Sequence, residues 1–140
     1  MKYILEKKFY FEASHRLIKN YKGKCSNIHG HMFEVILRLE SENLNDSDMV
    51  IDFADTMPLK QWIDENLDHA LLLWEEDDFI KLIDNKKQKL FICKKNPTSE
   101  YLAELLINKA IEIFESKYSG IKVHSIGINE TPTSGVFVYP

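Results

Sequence analysis

With 140 residues, 44% of them hydrophobic and 29% charged, the chain has the composition of one globular domain large enough to bury its own core. A net charge of −4 with no basic block excludes a general nucleic-acid binder, and no apolar run approaches the roughly 20 residues that cross a bilayer. Two cysteines cannot frame a disulfide scaffold, and Met1 runs straight into a strand pattern without an export signal, so a reducing cytoplasm is the expected setting.

Residues 2–13 and 29–41 predict two long strands. Side chains at i and i+2 share a strand face, so Leu5, Phe9, Phe11, Ala13 and His15 form one core-facing row that ends on an imidazole. His29, His31, Phe33, Val35, Leu37 and Leu39 form a second, with Glu34, Arg38 and Glu40 on the opposite face. Antiparallel pairing would bring His15 and the His29-Gly30-His31 pair to the same end. The connection from Arg16 to Ile28 is long for a hairpin, and long loops are often functional. Residues 41–48 are a polar turn, and 49–53 lead into a helix over about 54–66, where Pro58 opens the first turn or kinks it.

Residues 76–84 read as a short helix and 89–93 as a short strand. Asn96-Pro97-Thr98-Ser99-Glu100 supplies a capping side chain, a proline at the first helical position and an early acid. Leu102, Leu105, Leu106, Ala110, Ile113 and Phe114 continue at helical spacing towards a stop at Gly120. Residues 121–130 alternate again, with Ile126, Ile128 and Glu130 on one face, and 135–139 form a final strand. The main order is strand, strand, helix, helix, strand, strand.

A neutral imidazole is the commonest zinc ligand, and three protein ligands leave a fourth position for water or substrate. His15, His29 and His31 therefore read as a catalytic metal site; the plainer alternative is three ordinary histidines on a sheet edge. Cys25 stands four residues before His29, behind Lys22-Gly23-Lys24, where cations and a nearby metal favour a thiolate able to act as a base. An inert loop cysteine is its alternative, and Cys93, in an apolar run, reads as core.

Asp68-His69 resembles an acid orienting an imidazole for proton transfer. Adjacent helical residues do not face each other, so the pair requires irregular backbone; a histidine at a helix C-terminus is the alternative. Glu130 sits in an apolar-facing register, which is costly unless it is paired. A ring edge with two adjacent N–H donors, as in a pterin or guanine, would satisfy it, as would turn amides. Arg16, Lys19, Lys22 and Lys24 make a basic cluster, either phosphate-facing or simply solvated. His124 reads as a plain strand residue. A four-ligand structural zinc would need Cys25 as its fourth ligand.

Taken together, Phe11-Glu-Ala-Ser-His15-Arg-Leu, Cys25-Ser-Asn-Ile-His29-Gly-His31, Ile51-Asp-Phe53, Leu67-Asp68-His69, Pro97-Thr98-Ser99-Glu100 and Glu130-Thr131 resemble, in order, the 6-pyruvoyl-tetrahydropterin synthase-like family across nearly the whole chain. The resemblance implies an α+β tunnelling fold: a four-stranded antiparallel sheet with two main helices on one face. It further implies trimers that close their sheets into a barrel, pairs of trimers stacked as a homohexamer, and active sites between subunits. It assigns Zn2+ to His15, His29 and His31, proton abstraction to Cys25, assistance to Asp68 and His69, and the pterin anchor to Glu130, with Thr98 near the pterin.

The spacing of Cys25 from the His-x-His pair is similar to that in the bacterial 6-carboxy-5,6,7,8-tetrahydropterin synthases of queuosine precursor biosynthesis. Pro58 and the Trp74-to-Cys93 region depart from the shortest bacterial pattern. The implied partner is a small-molecule pterin triphosphate, with no nucleic acid or membrane. The implied reaction converts 7,8-dihydroneopterin triphosphate to the 6-carboxy product with release of triphosphate and acetaldehyde. Elimination to a 6-pyruvoyl product, or a pterin-binding module with a structural zinc, are the alternatives.

Overall fold

A computed structural model describes all 140 residues, Met1–Pro140. Strands β1 (Tyr3–His15) and β2 (His29–Ser41) form a long antiparallel hairpin whose register sets His15 opposite His29 and Ala13 opposite His31. The odd-numbered rows are inward as the alternation requires: Phe9, Phe11, Phe33, Val35, Leu37 and Leu39 are all buried. Strand β5 (Lys122–Thr131) pairs antiparallel with β2, and β6 (Ser134–Val138) with β5.

The sheet has six strands, not the four that the resemblance implied. Two short strands, β3 (Leu71–Trp74) and β4 (Leu90–Cys93), add in parallel beyond β1 and give the order β4-β3-β1-β2-β5-β6. β3 reads Leu-Leu-Leu-Trp, a short apolar run without alternation, and such a run cannot be told from a buried helical turn by periodicity. β3 meets β1 only at Ser14 and His15, so it braces the end of β1 that carries the histidine.

Helices α1 (Met57–Asn66) and α2 (Ser99–Ala110) cover the odd-numbered face. Leu59 and Ile63 of α1, and Leu102, Ala103, Leu106 and Ala110 of α2, join one core with Phe11, Phe33, Leu37, Ile126 and Ile128. Pro58 lies in the first turn of α1, as expected, after a 3₁₀ turn at Phe53–Thr56 whose cap is the Asp52 side chain accepting from the Ala54 amide at 2.8 Å. The expected helix over 76–84 is only a 3₁₀ turn, Asp78–Leu82. α2 begins two residues later than expected: Thr98, not Asn96, is the cap, its hydroxyl accepting from the Tyr101 amide, and Pro97 stays outside the helix. A π-helical turn at Ile111–Glu115 extends α2. No helix is long and apolar enough to cross a membrane.

Candidate metal centre and active site

The hairpin register makes His15 and His29 direct cross-strand neighbours, and His31 lies one pleat further along the same face. Phe33 forms the floor, edge-on to His15 and His31 at ring-centroid separations of 5.6 and 5.5 Å, and is itself stacked on Phe11 at 5.0 Å. Side-chain packing thus fixes where the imidazoles can point.

Hydrogen bonds then fix their tautomers. His15 Nδ1 donates to the Pro97 carbonyl at 2.7 Å, and His29 Nδ1 donates to the Asn27 carbonyl at 2.7 Å. A carbonyl oxygen only accepts, so both neutral rings carry their hydrogen on Nδ1 and a bare lone pair on Nε2. Those two Nε2 atoms face each other at 3.1 Å. Two opposed lone pairs at that distance repel unless a cation lies between them. With metal–nitrogen bonds of 2.0–2.1 Å, a tetrahedral zinc site has ligand–ligand edges of about 3.3 Å, close to this separation. His15 is fully buried, and burial pushes its pKa down, with the Pro97 carbonyl opposing; the neutral, metal-binding form is the favoured one.

His31 Nε2 is a buried nitrogen with no hydrogen-bond partner, although Glu130 Oε1 lies 3.0 Å away; the ring and carboxylate are close without the alignment of a hydrogen bond. The ligand atoms of His15, His29, His31 and Glu130 all lie within 4.8 Å of one another. Three imidazole nitrogens and one carboxylate oxygen are a donor set suited to zinc, and the unpartnered Nε2 of His31 calls for a partner of that kind. Glu130 is thus the fourth donor at hand, where the sequence offered only Cys25 for that place. The Ser99 hydroxyl holds its other oxygen, Oε2, at 3.2 Å. Thr98, singled out from the sequence, spends its hydroxyl on the helix cap, and its neighbour Ser99 makes the contact with Glu130.

Cys25 lies outside the four-donor set, half-buried in a 3₁₀ turn at Lys24–Ser26 within the β1–β2 connection. That turn is tied down: the Leu17 amide donates to the Cys25 carbonyl at 2.9 Å, and the Asn27 side chain donates to Lys24 O at 3.1 Å. The turn that carries the thiol therefore ends in the carbonyl that orients His29. Cys93 is core, and burial pushes its thiol up to about 12.

Asp68 and His69 face each other because the backbone turns irregular, as their adjacency demanded: His69 has φ of 58°, in the left-handed region. Asp68 Oδ2 accepts from His69 Nδ1 at 2.9 Å, and Oδ1 accepts from the Glu12 amide at 3.0 Å. The His69 amide in turn donates to the Glu12 carbonyl at 2.6 Å. Burial acts to raise the Asp68 pKa, but the Glu12 amide and His69 outweigh it and hold the carboxyl below its usual range. Glu12, whose carboxylate lies 3.7 Å from His69 Nε2, is an even-numbered residue of β1, on the face away from the helices. Glu12 thus joins Asp68 around His69, a neighbour that its polar-face position in the Phe11-to-His15 segment did not single out.

Asp68 and His69 are therefore not gathered with the four donors. His69 lines a cleft of about 600 Å³ with Glu12, Ser14, Gly30 and Met32, whereas Glu130 lines a neighbouring cleft of about 560 Å³ with Tyr10, Glu34 and Asn129. His31 borders both. In the basic cluster, Arg16 is already committed: its guanidinium grips buried Asp77 with bonds of 2.5 and 2.7 Å and lies 5.1 Å from the Phe79 ring centroid. Nothing in the local sequence linked these two residues 61 positions apart.

A family profile described as 6-pyruvoyl tetrahydropterin synthase matches residues 4–140, and the chain belongs to that family. It is 37% identical over 133 residues to a 6-carboxy-5,6,7,8-tetrahydropterin synthase from Rickettsia bellii, covering 91% of this chain and 94% of the relative. A putative protein of the same name from Pyrococcus horikoshii is 35% identical over 150 residues, covering 96% and 90%. Among solved structures, an uncharacterized protein from Wolinella succinogenes superposes with a TM-score of 0.87 at 26% identity, covering 99% and 98%. The 6-pyruvoyl tetrahydropterin synthase of Caenorhabditis elegans shares the fold, with a TM-score of 0.73 at 23% identity over 100% and 96% of the two chains.

Proposed function

We propose that the chain is a zinc-dependent lyase that converts 7,8-dihydroneopterin triphosphate and one water to 6-carboxy-5,6,7,8-tetrahydropterin, releasing triphosphate and acetaldehyde, in the cytoplasm. The observation that carries the reading is the pair of facing Nε2 lone pairs of His15 and His29, with orphaned His31 beside them. The 6-carboxy product is preferred because the relatives at 35–37% identity bear that name.

His15, His29 and His31 would hold the ion, which when bound supplies Lewis-acid stabilisation of negative charge developing on the substrate side-chain oxygens. The Cys25 thiolate removes the proton that this stabilisation makes acidic. His69, with Nδ1 fixed by Asp68, presents Nε2 for exchanging protons with the intermediate. Glu130 accepts the two adjacent N–H groups of the pterin edge, and Thr98 and Ser99 at the start of α2 border the ring. With Arg16 committed to Asp77, Lys19, Lys22 and Lys24 are left to face the departing triphosphate.

Assembly completes the site in this reading. The outer edge of β1 is covered by β3 only at Ser14 and His15, and β6 is the opposite edge of the sheet. Open edges of this length need cover. Copies of the chain pair these edges into a trimeric barrel, two trimers form a homohexamer, and the Asp68-His69 pair of one copy serves the metal set of a neighbour. Incubation with 7,8-dihydroneopterin triphosphate, with every product identified by mass spectrometry, tests the reaction. The 6-carboxy product with acetaldehyde is expected; a 6-pyruvoyl product alone would move the chain to the other branch, and unchanged substrate would refute both.

A further inference from the structure

We infer that Glu130 is an exchangeable fourth ligand: its carboxylate closes the metal centre in the substrate-free protein and leaves it when a pterin ring arrives. The inference rests on the reading of the three imidazoles as a zinc site and of the ligand as a pterin. Its starting point is that Glu130 is already occupied on both sides. Oε1 is turned into the imidazole cluster, 3.0 Å from His31 Nε2, and Oε2 accepts from Ser99. A ring edge with two parallel N–H donors needs both oxygens presented side by side along one line of approach. An Oε1 directed into the cluster does not offer that. Charge works in the same direction, because a carboxylate bound to a dication is a weaker acceptor than a free one.

The carboxylate also has somewhere to go. Its side chain retains 27% exposure, and it lines the cleft of about 560 Å³ shared with Tyr10, Gly30, Glu34 and Asn129, so a rotation about its own side-chain bonds exchanges one environment for the other. The consequence is an ordered site. Four protein donors keep adventitious ligands off the ion until the ring of the correct substrate draws Glu130 away, and a coordination position opens as the substrate side chain is delivered.

Cobalt(II)-substituted protein tests this without reference to turnover, since four-coordinate cobalt absorbs strongly in the visible and more highly coordinated cobalt weakly. Glu130→Gln is expected to change the visible spectrum and to weaken zinc binding at least about 10-fold in competition with a chromophoric chelator, a loss no smaller than that seen for residues supporting a ligand. Glu130→Ala covers the case in which the glutamine oxygen still ligates. Adding 6-methylpterin, which lacks the hydroxylated side chain, should shift the wild-type spectrum and leave that of the variant unchanged. Identical spectra and zinc affinities in wild type and both variants would overturn the ligation. A pterin that binds by fluorescence quenching while the wild-type spectrum stays fixed would overturn the exchange. Pterin failing to bind at all would instead count against the proposed function, with the variant comparison still deciding the ligation.

Discussion

His15 and His29 show how single hydrogen bonds set chemistry. Each ring spends its Nδ1 hydrogen on a backbone carbonyl, and the geometry leaves Nε2 with nothing to do except meet a cation. Burial holds the folded pKa of His15 below its ordinary value, so its contribution to stability is complete above about pH 6.5 and declines as pH falls below that value. Zinc affinity, measured by chelator competition, should fall over the same range as protons compete for the imidazoles. Cys25→Ala should retain zinc and lose most turnover; full activity in that variant would contradict the thiolate as base. Phe33, fully buried beneath the rings, is a packing residue with a functional consequence. Phe33→Ala should cost about 3–5 kcal/mol in denaturant unfolding and loosen zinc binding as the floor of the site goes.

At the level of elements, the β1–β2 hairpin carries the site and the segments around it hold its end in place. Arg16 follows directly on β1 and is clamped by Asp77, whose carboxyl the Arg16 guanidinium holds below the usual carboxylate range. The stability this pair contributes is complete above the ordinary carboxylate value near pH ~4, and is lost as pH falls through the lower folded value. Asp77→Asn should lower unfolding stability by about 1.5–3 kcal/mol at neutral pH, the scale for losing charge-assisted hydrogen bonds from a half-buried pair, and flatten the acid limb of the stability profile.

The imidazole trio was legible in the sequence because a period of two is a strong signal, and thirteen-residue strands leave little freedom of register. The place of Glu130 beside the trio was not, because it depends on how β5 aligns with β2, where the register shifts between Arg38 and Leu39. A bulge is set by long-range packing, which local alternation does not report. The parallel β3–β4 pair was hidden for a related reason: four apolar residues in a row carry no phase. Likewise Asp77 and Ser99 act through contacts 61 and 31 residues away, with no local motif to mark them.

As a whole molecule, one chain sets His69 and Glu130 on adjoining clefts that share His31, and it leaves the outer edge of β1 largely uncovered. On the proposed assembly, dilution that separates the copies, followed by sedimentation, should reduce turnover per chain while zinc content per chain stays constant. The site turns on the cation that the facing lone pairs of His15 and His29 call for. Zinc stoichiometry by mass spectrometry of purified wild type and His29→Ala tests it most directly. One ion per chain in the wild type and essentially none in the variant is the predicted result; stoichiometric zinc retained by His29→Ala would contradict it.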